Sequence, residues 1–129
     1  MSDHAKTISN LYAAFARGDV PSVLGALAPD IQWTEAEGFP YGGTYIGRDT
    51  VLSGVFMKLG TEWDGYKAVP HELVANGDTV VALGEYSGTY KVTGKHFRAP
   101  FAHVWKFGND GVKSFRQHTD TVVVQRAMK

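Results

Sequence analysis

Helical spacing of apolar residues predicts three helices in the first half of the chain. In residues 3–17 the apolar positions form one stripe, as one face of a helix requires. Its members are Ile8, Leu11, Tyr12 and Phe15. Ser2 or Asp3 is placed to cap the start of this helix, and Gly18 lies where a left-handed residue ends one.

Two further helices follow from the same spacing. Asp19 opens a short second helix with Pro21 in its first turn, and Pro29 stops it. The third helix covers residues 48–59 and is closed by Gly60. The apolar faces consist of Val23, Leu24 and Leu27 in the second helix and of Val51, Leu52, Val55, Phe56 and Leu59 in the third.

Alternation of apolar and polar residues predicts strands elsewhere. One strand covers residues 30–37, and the Gly, Pro and Tyr content of residues 39–47 is typical of a loop. The remaining strands cover residues 63–76, 79–90, 96–107 and 112–124. Pro70 weakens or bulges the first of these four, and a hairpin turn at Gly77 joins it to the second.

Three helices interleaved with one strand, followed by four sequential strands, predict an α+β fold. Short turns pair the last four strands antiparallel, as a meander. A twisted sheet of this size, covered on one face by helices, curls into an open cone. The chain has 129 residues and no linker, repeat or low-complexity tract, so residues 1–129 are predicted to form a single domain.

Composition and charge narrow the functional classes. The chain is 43% hydrophobic and has 13 basic and 13 acidic residues. A nucleic-acid partner is disfavoured, because phosphate binding needs clustered cations. The absence of Cys excludes disulfides, thiolate metal sites and Cys nucleophiles. Because no secretory leader and no run of roughly 20 apolar residues occurs, we expect a cytoplasmic protein without a membrane partner.

One histidine shares a strand face with large aromatic residues. Alternation along residues 96–107 places His103 on one face together with neighbours two and four positions away. These neighbours are Phe101, Trp105 and Phe107. Two interpretations stay open. His103 is either a packed histidine with one hydrogen bond, or a titratable group lining an apolar cavity, where small shifts bring its pKa across neutral pH.

Polar residues also alternate along the last predicted strand. Arg116, His118 and Asp120 share one face, and counting does not settle whether that face is concave. The opposite face carries Phe115, Gln117, Thr119 and Thr121. Asp120 either points outward, or forms a salt bridge with Arg116, or is a buried carboxylate with a perturbed pKa that serves in catalysis. If His103, His118 and Asp120 converge in a dry cleft, they form a general acid/base site without a covalent intermediate.

Bulky apolar residues supply candidates for a ligand pocket, although amphipathic spacing makes most of them core residues. The candidate ligand-binding residues are Tyr12, Phe15, Trp33, Phe56, Trp63, Phe101 and Trp105, with Tyr41 and Tyr45 on the neighbouring loop. Glu35 and Glu37 are interpreted as a solvated strand end. They matter for function only if that strand end forms the mouth of the cone.

No sequence motif indicates a cofactor or a metal. The glycines lack the spacing of a P-loop or a dinucleotide fingerprint, and no nucleophile elbow occurs around a Ser. The five histidines show neither HExxH nor facial-triad spacing. We therefore expect no cofactor and no metal site.

Four segments, in order along the chain, resemble the SnoaL-like branch of the nuclear transport factor 2 superfamily. They read YAAFARGDVPSVLGALAPDIQWTE, GTYIGRDTVLSGVF, ANGDTVVALGEYSGTYKVTGKHFRAPFAHVWKF and FRQHTDT. The resemblance implies a cone-shaped domain with a hydrophobic pocket, often in a homodimer built through the open sheet. Relatives include polyketide cyclases, ketosteroid isomerases, epoxide hydrolases, dehydratases and non-catalytic binding or transport modules.

The resemblance also implies a role for Asp120. In SnoaL-like cyclases an Asp on the late strands acts as acid/base, and position 120 resembles it. Position 118 is often aromatic in such sequences and is His here. The Tyr and Asp pair of a steroid isomerase oxyanion hole has no match by motif.

Three hypotheses for function follow. In the first, an isomerase, cyclase or dehydratase abstracts a proton next to a carbonyl in a small apolar ligand, with Asp120 as base and His103 or His118 as hydrogen-bond donor to the enolate oxygen. The second is a binding module with the same pocket and no turnover. The third is an interaction module whose exposed sheet forms a homodimer. A pH-dependent rate distinguishes the first from the second, and a dry cavity distinguishes both from the third.

Overall fold

A computed structural model describes residues 2–129 and places helices on one side of a curved six-stranded sheet. The helices are α1 (Asp3–Ala16), α2 (Val20–Gly25), α3 (Arg48–Val51), α4 (Met57–Glu62) and α5 (Thr121–Ala127), with a π-helical turn at Leu52–Phe56 between α3 and α4. The strands are β1 (Leu27–Glu35), β2 (Gly43–Ile46), β3 (Trp63–Asn76), β4 (Thr79–Tyr90), β5 (His96–Gly108) and β6 (Gly111–Thr119). The predicted α+β cone with a mainly antiparallel sheet is confirmed.

The caps of the first two helices are those expected from the sequence. The Ser2 hydroxyl accepts a hydrogen bond from the Ala5 backbone N–H at 3.1 Å and so caps α1. Gly18 follows α1 with a φ of 74°, a left-handed conformation that glycine adopts without strain. Asp19 caps α2 by accepting from the Ser22 backbone N–H.

The third predicted helix is longer than its apolar pattern indicated. It continues through Gly60 and ends at Glu62, because Trp63 takes an extended conformation and begins β3 directly. Inside it, the π-helical turn places Val55 and Phe56 among the buried residues. Such turns insert one extra residue into a helix and occur often at functional sites.

The sheet contains the predicted meander and one additional hairpin. Strands β3 to β6 pair sequentially and antiparallel, and the register between β3 and β4 shifts at Pro70, as predicted. Residues 43–46, predicted as loop, form the edge strand β2. That prediction was wrong because β2 is short and largely exposed, so it lacks an alternating apolar pattern. Strand β1 pairs parallel with β6, which gives the order β2-β1-β6-β5-β4-β3.

The C-terminal segment differs from the prediction. The strand expected over residues 112–124 ends at Thr119, and α5 follows it. Three consecutive valines indicated a strand, but Asp120 accepts a hydrogen bond from the Val123 backbone N–H and caps a helix. Val124 and Ala127 are buried at helical spacing, so tertiary packing overrides the local β preference.

The core lies between the helices and the concave face of the sheet. Helix α1 packs across β3 and β4, and α4 packs against β3. Aromatic residues from β1, β5 and β6 fill the centre, where the rings of Trp33 and Phe115 stack with centroids 3.8 Å apart. In residues 2–129, no helix is both long and apolar enough to cross a membrane.

Candidate functional site

A cavity of about 50 Å³ lies between the helices and the concave face of the sheet. Its lining is mostly apolar, with polar groups from β1, β4, β5 and β6 converging on it. The lining residues are Leu11, Tyr12, Phe15, Val23, Trp33, Glu35, Val55, Phe56, Leu59, Tyr66, Ala68, Tyr86, His103, Trp105, Phe115 and Gln117. An apolar cavity with a few convergent polar groups is the usual form of a ligand site.

His103 lies at the centre of a hydrogen-bonded network in this cavity. Its side chain is on the inner face of β5, and the residue is 4% exposed. Nδ1 lies 2.5 Å from the Tyr12 hydroxyl, and Nε2 is hydrogen-bonded to the Tyr86 hydroxyl. Burial, together with His118 as a smaller contribution, holds the pKa of His103 well below its usual value. The imidazole is therefore neutral at physiological pH.

Both phenols receive a second hydrogen bond. The Trp105 indole N–H donates to the Tyr12 hydroxyl at 3.1 Å, and the Gln117 amide Nε2 donates to the Tyr86 hydroxyl at 2.9 Å. The Ala36 backbone N–H donates to Gln117 Oε1 at 3.0 Å. Burial raises the pKa of both tyrosines well above the usual range, so the phenols stay protonated.

Glu35 is a buried carboxylic acid facing the same cavity. It continues the inward alternation of Ile31 and Trp33 along β1, and it is 4% exposed. Burial raises the pKa of Glu35 to about 8, and the nearby Trp33 indole partly opposes this rise. Among residues 2–129, the Trp33 N–H makes no hydrogen bond of acceptable geometry. Glu35 is therefore largely protonated at neutral pH and can release its proton just above it.

Five of the seven predicted ligand-binding residues line the cavity. These are Tyr12, Phe15, Trp33, Phe56 and Trp105. Trp63 and Phe101 are buried outside the lining. Trp63 donates a hydrogen bond to the Tyr41 hydroxyl, and Phe101 stacks on the His103 ring with centroids 3.9 Å apart.

The predicted convergence of His103, His118 and Asp120 is not found. On β6, Phe115 and Gln117 point into the core, and alternation turns His118 outward to solvent. Asp120 is also exposed, because it follows the end of β6 and caps α5. His103 alone of the three faces the cavity.

Glu35, Tyr86 and Gln117 are site residues that the sequence reasoning did not select. The period-two burial of β1, which includes Ile31 and Trp33, extends to Glu35 and was available as a signal. Similarly, the inward positions of β4 include Val80, Ala82 and Tyr86. Among the described residues, no group of three or more His, Cys, Asp or Glu is placed to hold a metal ion.

Comparison with known proteins gives matches in family and in structure. A family model described as a SnoaL-like domain matches residues 8–114. An NTF2-like protein from Burkholderia thailandensis E264 is 43% identical, with 100% of this chain and 99% of that chain covered and a TM-score of 0.95. An NTF2-like protein of unknown function from Burkholderia pseudomallei K96243 is 34% identical, with the same coverage and a TM-score of 0.92.

A third similar structure contains a small molecule. TerC, co-crystallized with polyporic acid, is 25% identical to this chain, with 98% of each chain covered and a TM-score of 0.88. A comparison with curated proteins gives no match.

Proposed function

We infer that this chain, which belongs to the SnoaL-like domain family, binds a small, neutral, mainly apolar molecule in its interior cavity and moves a proton next to that molecule's carbonyl group. Glu35 acts as the base in this proposal. The observation that carries it is the Glu35 side chain, 4% exposed, among the apolar residues that line the cavity, where burial raises the pKa of its carboxyl group to about 8. A strongly perturbed acid in a cleft favours acid/base function.

The chemistry of the lining supports a neutral ligand. Within residues 2–129, no Lys or Arg lines the cavity, and burial keeps His103 neutral. An ionic ligand would lose its hydration without gaining a counter-ion, which is costly in an apolar site. That the structurally similar TerC was co-crystallized with polyporic acid supports binding of a small organic molecule by this chain.

The size of the cavity limits the ligand further. An engineered cavity that holds benzene measures about 150 Å³, whereas this one measures about 50 Å³. A ring-sized ligand therefore requires lining side chains to move. Phe15, Tyr66 and Ala68 are the half-buried members of the lining, and we place the ligand's entry there.

The proposed reaction uses a base and a hydrogen-bond donor in one cavity. The Glu35 carboxylate removes a proton from the carbon next to the carbonyl, and the C–H electron pair moves to form an enolate. A phenol O–H from Tyr12 or Tyr86 donates a hydrogen bond to the enolate oxygen, which stabilises the charge as it develops. Glu35 then returns a proton to the same carbon or to a conjugated one. A base with a pKa near the working pH suits this role.

Two features support the alternatives to catalysis. The hydrogen-bonded network around His103 is largely satisfied without a ligand, which favours a binding module with no turnover. On the outer face of the sheet, Val69, Val74 and Leu83 are exposed, which favours a homodimer through that face. The cytoplasmic location and the absence of a nucleic-acid partner remain predictions from composition.

Deuterium exchange into simple ketones tests the proposed reaction. In D₂O, we expect the wild-type protein to accelerate exchange at the α carbons of cyclopentanone or cyclohexanone above the rate in protein-free buffer, as followed by NMR. The acceleration should saturate with ketone concentration, because the ketone occupies a cavity. Asp120→Asn retains a capping side chain and should exchange at the wild-type rate. Exchange no faster than in buffer, or its loss in Asp120→Asn, would contradict the proposal.

A further inference from the structure

Two N–H groups near His103 can only donate hydrogen bonds, and they determine which neighbouring atoms accept. The indole N–H of Trp105 can only donate, so the Tyr12 oxygen accepts it. The backbone N–H of Ala36 can also only donate, so Gln117 turns Oε1 toward it. The amide NH₂ of Gln117 consequently faces Tyr86, whose oxygen accepts it. Each phenol oxygen thus has one lone pair occupied before His103 is considered.

The neutral imidazole of His103 cannot make the same kind of hydrogen bond to both phenols. A neutral histidine carries one N–H and one unprotonated nitrogen. Nδ1 is bonded to Tyr12 and Nε2 to Tyr86. One phenol must therefore donate its proton to the unprotonated nitrogen, while the other phenol accepts from the N–H.

The accepting phenol has a proton left over. Its oxygen already accepts from His103 and from Trp105 or Gln117, so both lone pairs are occupied. Among residues 2–129, neither the Tyr12 nor the Tyr86 hydroxyl has another acceptor. Because both phenols line the cavity, the remaining O–H is available to an acceptor atom of a ligand.

We propose that His103 is a positioning residue that makes Tyr12 and Tyr86 alternative hydrogen-bond donors to the ligand, one at a time, with the imidazole tautomer deciding which phenol donates. With the proton on Nε2, Tyr86 offers its O–H to the cavity; with the proton on Nδ1, Tyr12 does. The inference rests on the proposed function only in assuming that the ligand carries an acceptor such as a carbonyl oxygen.

Specificity follows from this arrangement. The two hydroxyls lie on opposite nitrogens of one imidazole ring. A ligand whose acceptor lies beside Tyr12 selects one tautomer, and a ligand whose acceptor lies beside Tyr86 selects the other. A molecule that needs both donors at once is disfavoured, because both phenols donate to the cavity only if His103 becomes a buried cation.

Nitrogen-15 NMR of labelled histidine in the ligand-free protein tests the inference. In the wild type at neutral pH, we expect one protonated and one unprotonated His103 nitrogen, or fast exchange between the two neutral tautomers. Tyr12→Phe should shift the proton to Nε2 and Tyr86→Phe should shift it to Nδ1. The preference should be roughly tenfold or more, since an unpaired buried N–H is costly. Tyr66→Phe removes a neighbouring cavity phenol that is not bonded to His103 and should leave the wild-type signals unchanged.

Two results would overturn the inference: an imidazolium with both nitrogens protonated in the wild type, or the same tautomer in Tyr12→Phe and Tyr86→Phe. The wild-type spectrum alone decides the first point, even if a variant fails to fold. Because the measurement uses neither a ligand nor Glu35, a failed ketone-exchange experiment would leave its outcome interpretable. Opposite tautomers in the two variants, together with no ketone exchange, would support the role of His103 and reject the catalytic proposal.

Discussion

Glu35→Gln should lower the rate constant for α-deuterium exchange of cyclopentanone by about 10²- to 10⁴-fold, the usual contribution of general acid/base catalysis. Glutamine has the shape of a protonated carboxyl group and can donate and accept hydrogen bonds, so the cavity keeps its form. It cannot accept a proton from carbon. The loss should therefore appear in the rate constant at saturating ketone, with a smaller effect on the ketone concentration that gives half-saturation.

The role of Glu35 as base also predicts that the exchange rate rises with pH. A base with a pKa of about 8 is mostly protonated at neutral pH, so the wild-type rate above buffer should rise with pH and level off above about 8. Glu37→Gln is the matched control, because Glu37 is two residues further along and exposed. A Glu35→Gln protein with wild-type activity would exclude Glu35 as the base, and equal losses in both variants would indicate a general effect on the fold.

The second large effect concerns stability. Relative to Glu35→Gln, the wild-type protein should lose about 3 to 5 kcal/mol of unfolding free energy as the pH rises, because each unit of pKa difference is worth about 1.36 kcal/mol. The folded state binds the Glu35 proton up to a pKa of about 8, whereas the usual value is 4.5. Between these two values the folded state holds more protons than the unfolded state, so stability falls as pH rises. Above the folded-state pKa the difference becomes constant.

Urea denaturation of the wild type and Glu35→Gln at about pH 5, 7 and 9 measures this difference. His103 contributes an opposite slope at low pH, because its lowered pKa makes stability rise with pH up to the unfolded value of about 6.5. That contribution is common to both proteins and cancels in the comparison. Parallel stability curves across the three pH values would mean that Glu35 titrates in the folded protein as it does in water.

Much of the fold follows from local pattern. The bounds of β3 and β4 agree with the prediction, because the two strands meet at a short turn where Gly77 takes the positive φ that the turn requires. The caps at Ser2 and Asp19 agree for a similar reason, since capping depends on residues within one helical turn. Features determined within a few residues could be predicted from the sequence.

The incorrect predictions concern segments whose secondary structure depends on contacts with residues distant in the sequence. The valine run after Asp120 favours a strand locally, but packing of α5 against β5 buries Val124 and Ala127 in a helix. Residues 43–46 become a strand only because β1 offers them an edge. The packing of α5 against β5 and the pairing of residues 43–46 with β1 cannot be predicted from the local pattern.

The site was predicted only in part, because some of its residues are placed by local alternation and others by distant contacts. The interpretation of His103 as a cavity-lining residue required only alternation along β5. For Glu35, the end of β1 was interpreted as solvated, because acids are usually exposed. Its burial depends on the parallel pairing of β1 with β6 and on the bond between Gln117 and the Ala36 backbone. Asp120 was selected from alternation along the last predicted strand and from family resemblance, and neither revealed that β6 ends before it.

The titration of the Glu35 side chain is the most direct test of the proposed site. Carbon-13 NMR of protein labelled at the glutamate carboxyl groups, with Glu35→Gln used to assign the signal, gives its midpoint in the folded protein. We expect a midpoint of about 8, well above the usual value of 4.5. A midpoint near the usual value would show that Glu35 is charged and hydrated at neutral pH, and it would contradict an acid/base site in this cavity.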